Sequence, residues 1–133
     1  MAESLMSLDQ LLSDFSENKG WDKQYRLIIQ LGKKLPALTE TEKKQHNQVK
    51  GCESRAWLAI EEKEGHYYLQ MDSDSRVVKG LMAILLIIFQ GKTAQQIQRI
   101  DIEDLFVQLG LLNHLSPSRA NGLLAIVNRI KDV

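Results

Sequence analysis

The stretch from Val77 to Phe89 constrains the fold more than any other part of this sequence, because its apolar residues cover more than one helical stripe. A helix with apolar residues on most sides must be enclosed by other elements of its protein or lie in a membrane. Its uninterrupted apolar run, Leu81 to Phe89, has about half of the roughly 20 residues that a membrane-spanning helix needs. We therefore expect a buried core helix and no membrane partner.

Amphipathic segments on both sides of this helix predict further helices. Before it, apolar residues recur at helical spacing from Leu5 to Phe15 and from Leu27 to Leu35, with a break at Asn18-Lys19-Gly20 and a stop before Pro36. After it, shorter helices are expected near Ala94 to Arg99, from Ile102 to Leu109 with Gly110 behind it, and from about Pro117 to Lys131. Ser116 is suited to cap the last of these, since serine before proline is a common helix start.

Two short stretches rich in aromatic and branched residues predict an antiparallel hairpin. They run from Ala56 to Ile60 and from Tyr67 to Met71, with a charged turn between them. The residues that follow, Asp72-Ser73-Asp74-Ser75, offer side-chain acceptors to the first amides of the core helix, and Gly91 offers a left-handed stop. The predicted fold class is α+β: one domain over residues 1–133, with helices packed against a small antiparallel sheet.

Charge and cysteine content exclude several classes of function. The 17 basic and 17 acidic residues balance, and no basic block marks a phosphate-binding face, so nucleic acid is not an expected partner. The start, Met1 to Leu5, does not show the pattern of a secretory signal. The single cysteine, Cys52, cannot form an internal disulfide, which fits a reducing cytoplasm. We therefore expect a cytoplasmic protein.

Cys52 is the residue whose chemistry most needs an explanation. It follows Gly51 where a polar connection gives way to an apolar, strand-like run. One interpretation is a thiolate that acts as a nucleophile or group carrier, and the other is a partly buried, inert thiol; the residues alone leave both open. One cysteine cannot supply the ligands of an iron-sulfur cluster or a structural zinc site, and the scattered glycines form no nucleotide-binding loop. No metal and no cofactor of its own are expected.

A cysteine hydrolase needs a histidine base, and none of the three histidines has a local signature for that role. His46, His66 and His114 occupy a polar tract, a predicted turn and a loop, and each is expected at the surface, with His46 closest in sequence to the thiol. Arg119 is more informative, because a cation in the first turn of a helix meets the positive end of the helix dipole. An anionic neighbour such as Asp74, or an incoming partner, could compensate it. Trp21, Trp57 and Met82 are expected in the core.

Several motifs, taken in their order, resemble the SufE/CsdE family of sulfur acceptor proteins. They are Gly51-Cys52-Glu53-Ser54-Arg55-Ala56-Trp57, Asp72-Ser73-Asp74 with Val78-Lys79-Gly80-Leu81, and Ser116-Pro117-Ser118-Arg119 with Gly122-Leu123, together with Trp21 to Tyr25 and Leu31 to Pro36 nearer the start. The resemblance covers nearly the whole chain. The sequence departs from the commonest family pattern at Met71, where glycine is frequent, and at Glu53 and Arg55, where uncharged residues are frequent.

This resemblance implies a partner of a pyridoxal-phosphate cysteine desulfurase, either SufS-like or CsdA-like, with the pyridoxal phosphate belonging to that enzyme. Cys52 would accept the desulfurase's persulfide sulfur and relay it to a downstream recipient or iron-sulfur scaffold. Gly51, Glu53, Asp74 and Arg119 would support the site or bind the partner. The resemblance also implies a fold like that of the iron-sulfur scaffold proteins.

Two other functions remain open from the residues. One is a docking adaptor that activates the desulfurase without carrying sulfur, in which Cys52 is structural. The other is an independent thiol enzyme such as a peroxidase. The departures at Met71, Glu53 and Arg55 leave the choice of desulfurase open as well.

Overall fold

The computed structural model describes residues 7–18, 20–35, 38, 48–49, 55–111 and 115–133, and it confirms the α+β class. Among the helices of these ranges, none combines the length and apolar character needed to cross a bilayer. The described elements, in chain order, are α1 (Leu8–Glu17), α2 (Trp21–Lys33), β1 (Ala56–Lys63), β2 (His66–Ser73), α3 (Arg76–Phe89), β3 (Lys92–Thr93), α4 (Ala94–Arg99), α5 (Ile102–Leu109) and α6 (Pro117–Lys131).

Helix α3 is the buried core helix that the sequence predicts. Ten of its residues are buried, and Met82, Ile84 and Phe89 are among those with no exposed surface. The Val78 N–H donates to the Ser75 hydroxyl, which caps the first turn. Gly91 has the predicted positive φ of +74°, but the helix already ends at its C-cap Gln90, whose ψ of 130° is extended, and the Gly91 N–H donates to the Tyr67 carbonyl in β2.

Glycines bring α2 and α3 into close contact. A Cβ atom placed on Gly80 would lie 2.0 Å from the Ile28 carbonyl oxygen, and one on Gly32 would lie 2.8 Å from the Gly80 backbone nitrogen. Any larger side chain at Gly80 would therefore force the helix backbones apart. The glycine in the Val78-Lys79-Gly80-Leu81 motif has a packing role at this crossing.

The predicted hairpin is confirmed, and its strands are longer than expected. Strands β1 and β2 pair antiparallel from Ala56 opposite Ser73 to Lys63 opposite His66. Glu64 and Gly65 form the turn, and both have positive φ values, 54° and 82°, as a tight hairpin turn requires. Along β2, Leu69 and Met71 are buried while Tyr68 and Gln70 are exposed, so one face of the sheet packs on the helices.

Two features of the sheet differ from the sequence prediction. Asp72 and Ser73 belong to β2 and do not cap α3; among the four residues expected to cap it, Ser75 fills that role. The short strand β3 was not expected, and it pairs with the start of β2 to give the order β1-β2-β3. Local pattern favoured a cap at Asp72, whereas the register of the hairpin places it in the strand.

The remaining helices agree closely with the sequence. The bounds of α4 and α5 coincide with those expected, and α6 begins at Pro117 behind the predicted Ser116 cap. Helix α1 begins at Leu8, behind a Ser7 cap, while Leu5 lies outside the described residues. Pro36, the expected stop after α2, also lies outside them, and α2 ends at Lys33.

Candidate functional site

Gly51, Cys52 and Glu53 lie outside the described residues, but the structure describes the residues on either side of them. We call these residues, 48–49 and 55–57, the frame of the Cys52 connection. The Val49 N–H donates to the Ala56 carbonyl at 2.8 Å, and Gln48 forms an antiparallel bridge with Trp57. The Gln48 carbonyl also lies 3.4 Å from Arg129 Nη1 on α6. The chain before Cys52 and the chain after it therefore meet side by side at the start of β1.

Arg55, the first described residue after Cys52, is held in place by contacts with the end of β2. The Arg55 carbonyl accepts from Ser73 Oγ at 2.7 Å and from the Asp74 N–H at 3.2 Å. The Arg55 guanidinium donates through Nε to Asp74 Oδ2 at 2.7 Å, and its Cζ atom lies 5.6 Å from the centre of the Trp57 ring. Asp74 thus lies beside Arg55, the first described residue after Cys52.

The Arg55–Asp74 ion pair is exposed to solvent. The Arg55 side chain is 68% exposed and the Asp74 side chain 45%. Exposed ion pairs contribute about 1 kcal/mol or less to folding, because water screens them and ordering the two side chains costs entropy. The ion pair therefore contributes little to the stability of the fold.

Arg119 lies in the first turn of α6, where the sequence places it. Its backbone N–H donates to the Ser116 hydroxyl at 3.2 Å, and the residue is half-buried. Within the described ranges, no ion pair joins Arg119 to Asp74, whose carboxylate instead pairs with Arg55. The positive end of the helix dipole is therefore not compensated at Arg119 by the carboxylate that the sequence suggested.

Asp72 carries the most buried carboxylate near this frame, and sequence reasoning assigned it only a capping role. Asp72 is 1% exposed. Its Oδ2 atom accepts from the Leu38 N–H at 3.1 Å, and its Oδ1 atom accepts from the Ser73 N–H at 2.8 Å. Lys79 Nζ, from α3, lies 3.5 Å from the same Oδ1. The alternation of β2 did not indicate this burial, because Asp72 falls on the same face as the exposed Tyr68 and Gln70.

Trp57 covers this second face of the sheet. It lies opposite Asp72 in the β1–β2 register and is 5% exposed, so its predicted burial is confirmed, as is that of Met82. Trp57 is one of the buried hydrophobic residues of the described core, although it is not part of the largest cluster that these residues form. The side chain of Trp21 lies outside the described residues.

The histidine that the structure describes lies away from this frame. His66 is exposed at the hairpin end of β2, and its Nδ1 atom is 3.0 Å from the Gly91 carbonyl. Asp72 and Ser73 lie at the opposite end of the same strand. His46 and His114 lie outside the described residues. Among described side chains, no group of three or more His, Cys, Asp or Glu is placed to hold a metal ion.

Two ion pairs between described residues lie near Arg55 and the end of β2. The cations Arg55 and Lys79 face the anions Asp74 and Asp72, one pair exposed and the other largely buried. Sequence reasoning identified Asp74 but did not assign Arg55 or Lys79 to these pairs. An arrangement of this kind can anchor a short connection and present charged groups beside it.

Comparisons with known proteins identify a family and a fold. Residues 9–133 match the family model for SufE, described as an Fe-S metabolism associated domain. A SufE-like protein of Rhizobium meliloti, itself uncharacterized, is 42% identical over 131 residues, which cover 96% of this chain and 94% of that protein. The solution structure of a hypothetical protein from Thermus thermophilus superposes with a TM-score of 0.75 at 17% identity, covering 96% of this chain and 94% of the other. That structure supports the fold alone.

Proposed function

The chain belongs to the SufE family of Fe-S metabolism associated domains, and on that premise we propose that it is a sulfur acceptor for a cysteine desulfurase. Cys52 takes the sulfur, and the chain relays it to an iron-sulfur scaffold or another recipient. The partner desulfurase, SufS-like or CsdA-like, supplies its own pyridoxal phosphate. The protein acts in the cytoplasm as an accessory protein and activator.

The observation that carries this proposal is the position of the chain's only thiol within the matched range. Cys52 lies within the matched residues 9–133, and Val49 and Ala56, which are described on either side of it, are joined by a backbone hydrogen bond. A short connection on a fixed base can present a thiol to another protein without rearrangement of the core. This geometry supports a group carrier more than an inert core cysteine.

The transfer is an exchange between a thiolate and a persulfide. The Cys52 thiolate attacks the outer sulfur of the desulfurase persulfide, and a new sulfur–sulfur bond forms. The bond between that outer sulfur and the desulfurase's own cysteine sulfur breaks, and its electron pair leaves with the desulfurase thiolate. The proton on the outer sulfur stays with it. No oxidant or reductant is consumed, because one persulfide replaces another.

Asp74 and Arg119 are proposed as partner-binding residues, with Gly51 and Glu53 beside the thiol. Arg119 supports this role, because it lies in the first turn of α6 and no ion pair joins it to Asp74 within the described part of the chain. A carboxylate supplied by the partner would relieve its unfavourable position at the helix start. Asp74 is exposed and can exchange Arg55 for a partner's cation.

Intact-protein mass spectrometry tests the acceptor role directly. The chain is incubated with a purified cysteine desulfurase, pyridoxal phosphate and free cysteine, and wild type is compared with Cys52→Ser. We expect a mass increase of one sulfur atom on wild type and none on the serine variant. Equal sulfur uptake by both proteins, or uptake by neither despite binding, would contradict the acceptor role.

The docking adaptor makes a different prediction in the same experiment. An adaptor stimulates desulfurase turnover through binding alone, so the Cys52→Ser variant would stimulate as well as wild type. An acceptor variant without its thiol should still bind and should stimulate little. Measuring alanine release from cysteine beside the binding affinity separates the two functions.

A further inference from the structure

The charges of this protein sum to zero, but the fold separates them. Helix α1 carries three acidic residues and α5 carries two, and neither helix contains a lysine or an arginine. These two helices pack against each other. Helix α2 carries three basic residues and one acidic residue. The balanced composition therefore consists of an acidic region at α1 and α5 and a basic region at α2.

Three cations form a basic surface where α2 crosses α3. Arg26 and Lys33 are seven positions apart on α2, which is close to two full turns and places them on the same side of the helix. A Cβ atom on Gly32 would lie 3.1 Å from the Arg76 carbonyl oxygen, so Lys33 and Arg76 belong to contacting turns of the two helices. All three cations are exposed. We call Arg26, Lys33 and Arg76 the basic surface.

The acidic residues next to the basic surface do not neutralise it. The Asp22 carboxylate lies near the start of α2, where its Oδ1 atom is 3.5 Å from the position of a Cβ atom on Gly20. Asp72 and Asp74 each pair with another cation. Within the described ranges, no ion pair includes a member of the basic surface. Its charge can therefore act on a molecule outside the chain.

The composition of the basic surface favours a protein as its partner. Nucleic-acid binding commonly involves about six to ten phosphate contacts, which is more than three cations supply. Ile29 lies one turn from Arg26 and one turn from Lys33, and it is half-buried, so it adds apolar area between the charges. Protein interfaces combine apolar contacts with polar and charged groups in this way. The basic surface thus fits an acidic protein surface.

We propose that the basic surface docks an acidic surface of the cysteine desulfurase, beside the frame of the Cys52 connection. This inference rests on the proposed function. Arg76 follows Asp74 by two residues, and Asp74 pairs with Arg55 of the frame. A standard interface covers about 800 Å² of each partner, so a protein docked on the frame also covers neighbouring groups. Carboxylates of that protein would attract Arg76 and interact favourably with the first turn of α3, which has no acidic residue.

The experiment measures the association rate constant with a purified desulfurase by stopped-flow fluorescence, at about 50 mM and about 300 mM sodium chloride. The test variant is Lys33→Glu/Arg76→Glu. The matched control is Lys63→Glu/Arg99→Glu, because both of its residues are exposed and lie on β1 and α4, and both double variants change the net charge equally. Lys33 lies in the last turn of α2 and Arg76 in the first turn of α3, so the two reversals have opposite effects on the helix dipoles. Thermal melting verifies that both double variants are folded.

We expect Lys33→Glu/Arg76→Glu to associate about tenfold more slowly than wild type at the lower salt concentration, and the control to stay within about twofold of wild type. The difference should shrink at the higher salt concentration, because exposed charges are screened there. Wild type should also associate more slowly as salt is added, although its net charge is zero. Equal slowing of the two double variants, or wild-type association that does not depend on salt, would overturn the proposal.

Other occupants of the basic surface give different results with the same variants. Binding of wild type to a DNA or RNA oligonucleotide or to anionic phospholipid vesicles, lost in Lys33→Glu/Arg76→Glu, would assign the surface to a polyanion. Self-association in sedimentation velocity, lost in the same variant, would assign it to the acidic helices of a second copy. Either result would overturn docking of the desulfurase. If wild type does not bind the desulfurase, the proposed function fails as well; if it binds and the variants do not differ, only the docking inference fails.

Discussion

Replacing Gly80 with alanine should destabilise the protein, although the same change in an exposed helix interior is stabilising. Alanine is favoured over glycine in a helix by about 1 kcal/mol. At Gly80, however, the added methyl group would lie 2.0 Å from the Ile28 carbonyl oxygen and 2.4 Å from Ile28 Cγ2. Non-bonded heavy atoms settle at about 3.5 Å or more, so α2 and α3 must separate by roughly 1 to 1.5 Å at this crossing.

The cost of that separation exceeds the gain from helix propensity. Overpacking of a filled core costs about 1–3 kcal/mol, and here the nearest atom is backbone, which cannot turn aside as a side chain can. The upper end of that range, about 3 kcal/mol, less the gain of about 1 kcal/mol from helix propensity leaves an expected loss of about 2 kcal/mol in the free energy of unfolding. For a domain of this size, that corresponds to a fall of roughly 8 °C in the melting temperature.

Urea unfolding followed by circular dichroism measures this effect, with Arg26→Ala and Arg26→Gly as a matched pair. Arg26 is exposed on α2, so the two variants report helix propensity without packing, and alanine should be the more stable. Adding Ile28→Ala to Gly80→Ala should give no rescue, because the clash with the Ile28 backbone oxygen remains. A Gly80→Ala protein as stable as wild type would refute the close approach of the two helices.

Three further experiments test other parts of the structure. Gln90→Ala should lower the unfolding free energy by about 2 kcal/mol in chemical denaturation, because the Gln90 amide pairs with both the N–H and the carbonyl of buried Leu69; an unchanged midpoint would contradict this. A double-mutant cycle on Arg55→Ala and Asp74→Ala should give a coupling of about 1 kcal/mol or less that shrinks with added salt, and a salt-independent coupling would count against an exposed pair. Arg119→Glu should weaken desulfurase binding while changing stability by at most about 0.5 kcal/mol, and a large fall in melting temperature would assign Arg119 to the fold.

Helix bounds could be predicted from the sequence, because the signals that set them are local. The bounds of α4 and α5 are those expected from the sequence, and α6 begins behind Ser116 as its pattern indicates. Gly110 ends α5 with a φ of 70°, a conformation that glycine adopts without strain. Each of these boundaries depends on residues within a single turn.

Pairing across the sheet could not be predicted in the same way, because its partners are distant in the chain. Strand β3 is two residues long and has no periodicity of its own; it is defined by pairing with His66 and Tyr67. Gln90 contributes to the same edge through its side chain, which bonds to Leu69 as a neighbouring strand would. No pattern within a few residues of Gln90 indicates this role.

The capping prediction for Asp72 failed for a related reason. An acidic residue followed by Ser-Asp-Ser before an apolar helix is typical of an N-terminus, and Ser75 does cap α3. The length of the hairpin decided the outcome, because pairing continues to Ala56 opposite Ser73 and places Asp72 within the strand. There its carboxylate bonds to the Leu38 N–H, a contact between residues 34 positions apart.

The two ion pairs near the Cys52 connection differ in the free energy that a binding partner needs to break them. The Arg55–Asp74 pair is exposed, so a docking protein can replace either member with its own charge for about 1 kcal/mol or less. The Asp72–Lys79 pair joins a one-third exposed lysine to a carboxylate that is 2% exposed, and leaving a buried carboxylate without its cation costs more than breaking an exposed pair. Binding is therefore expected to rearrange the contacts at Arg55 and to leave those at Asp72 in place.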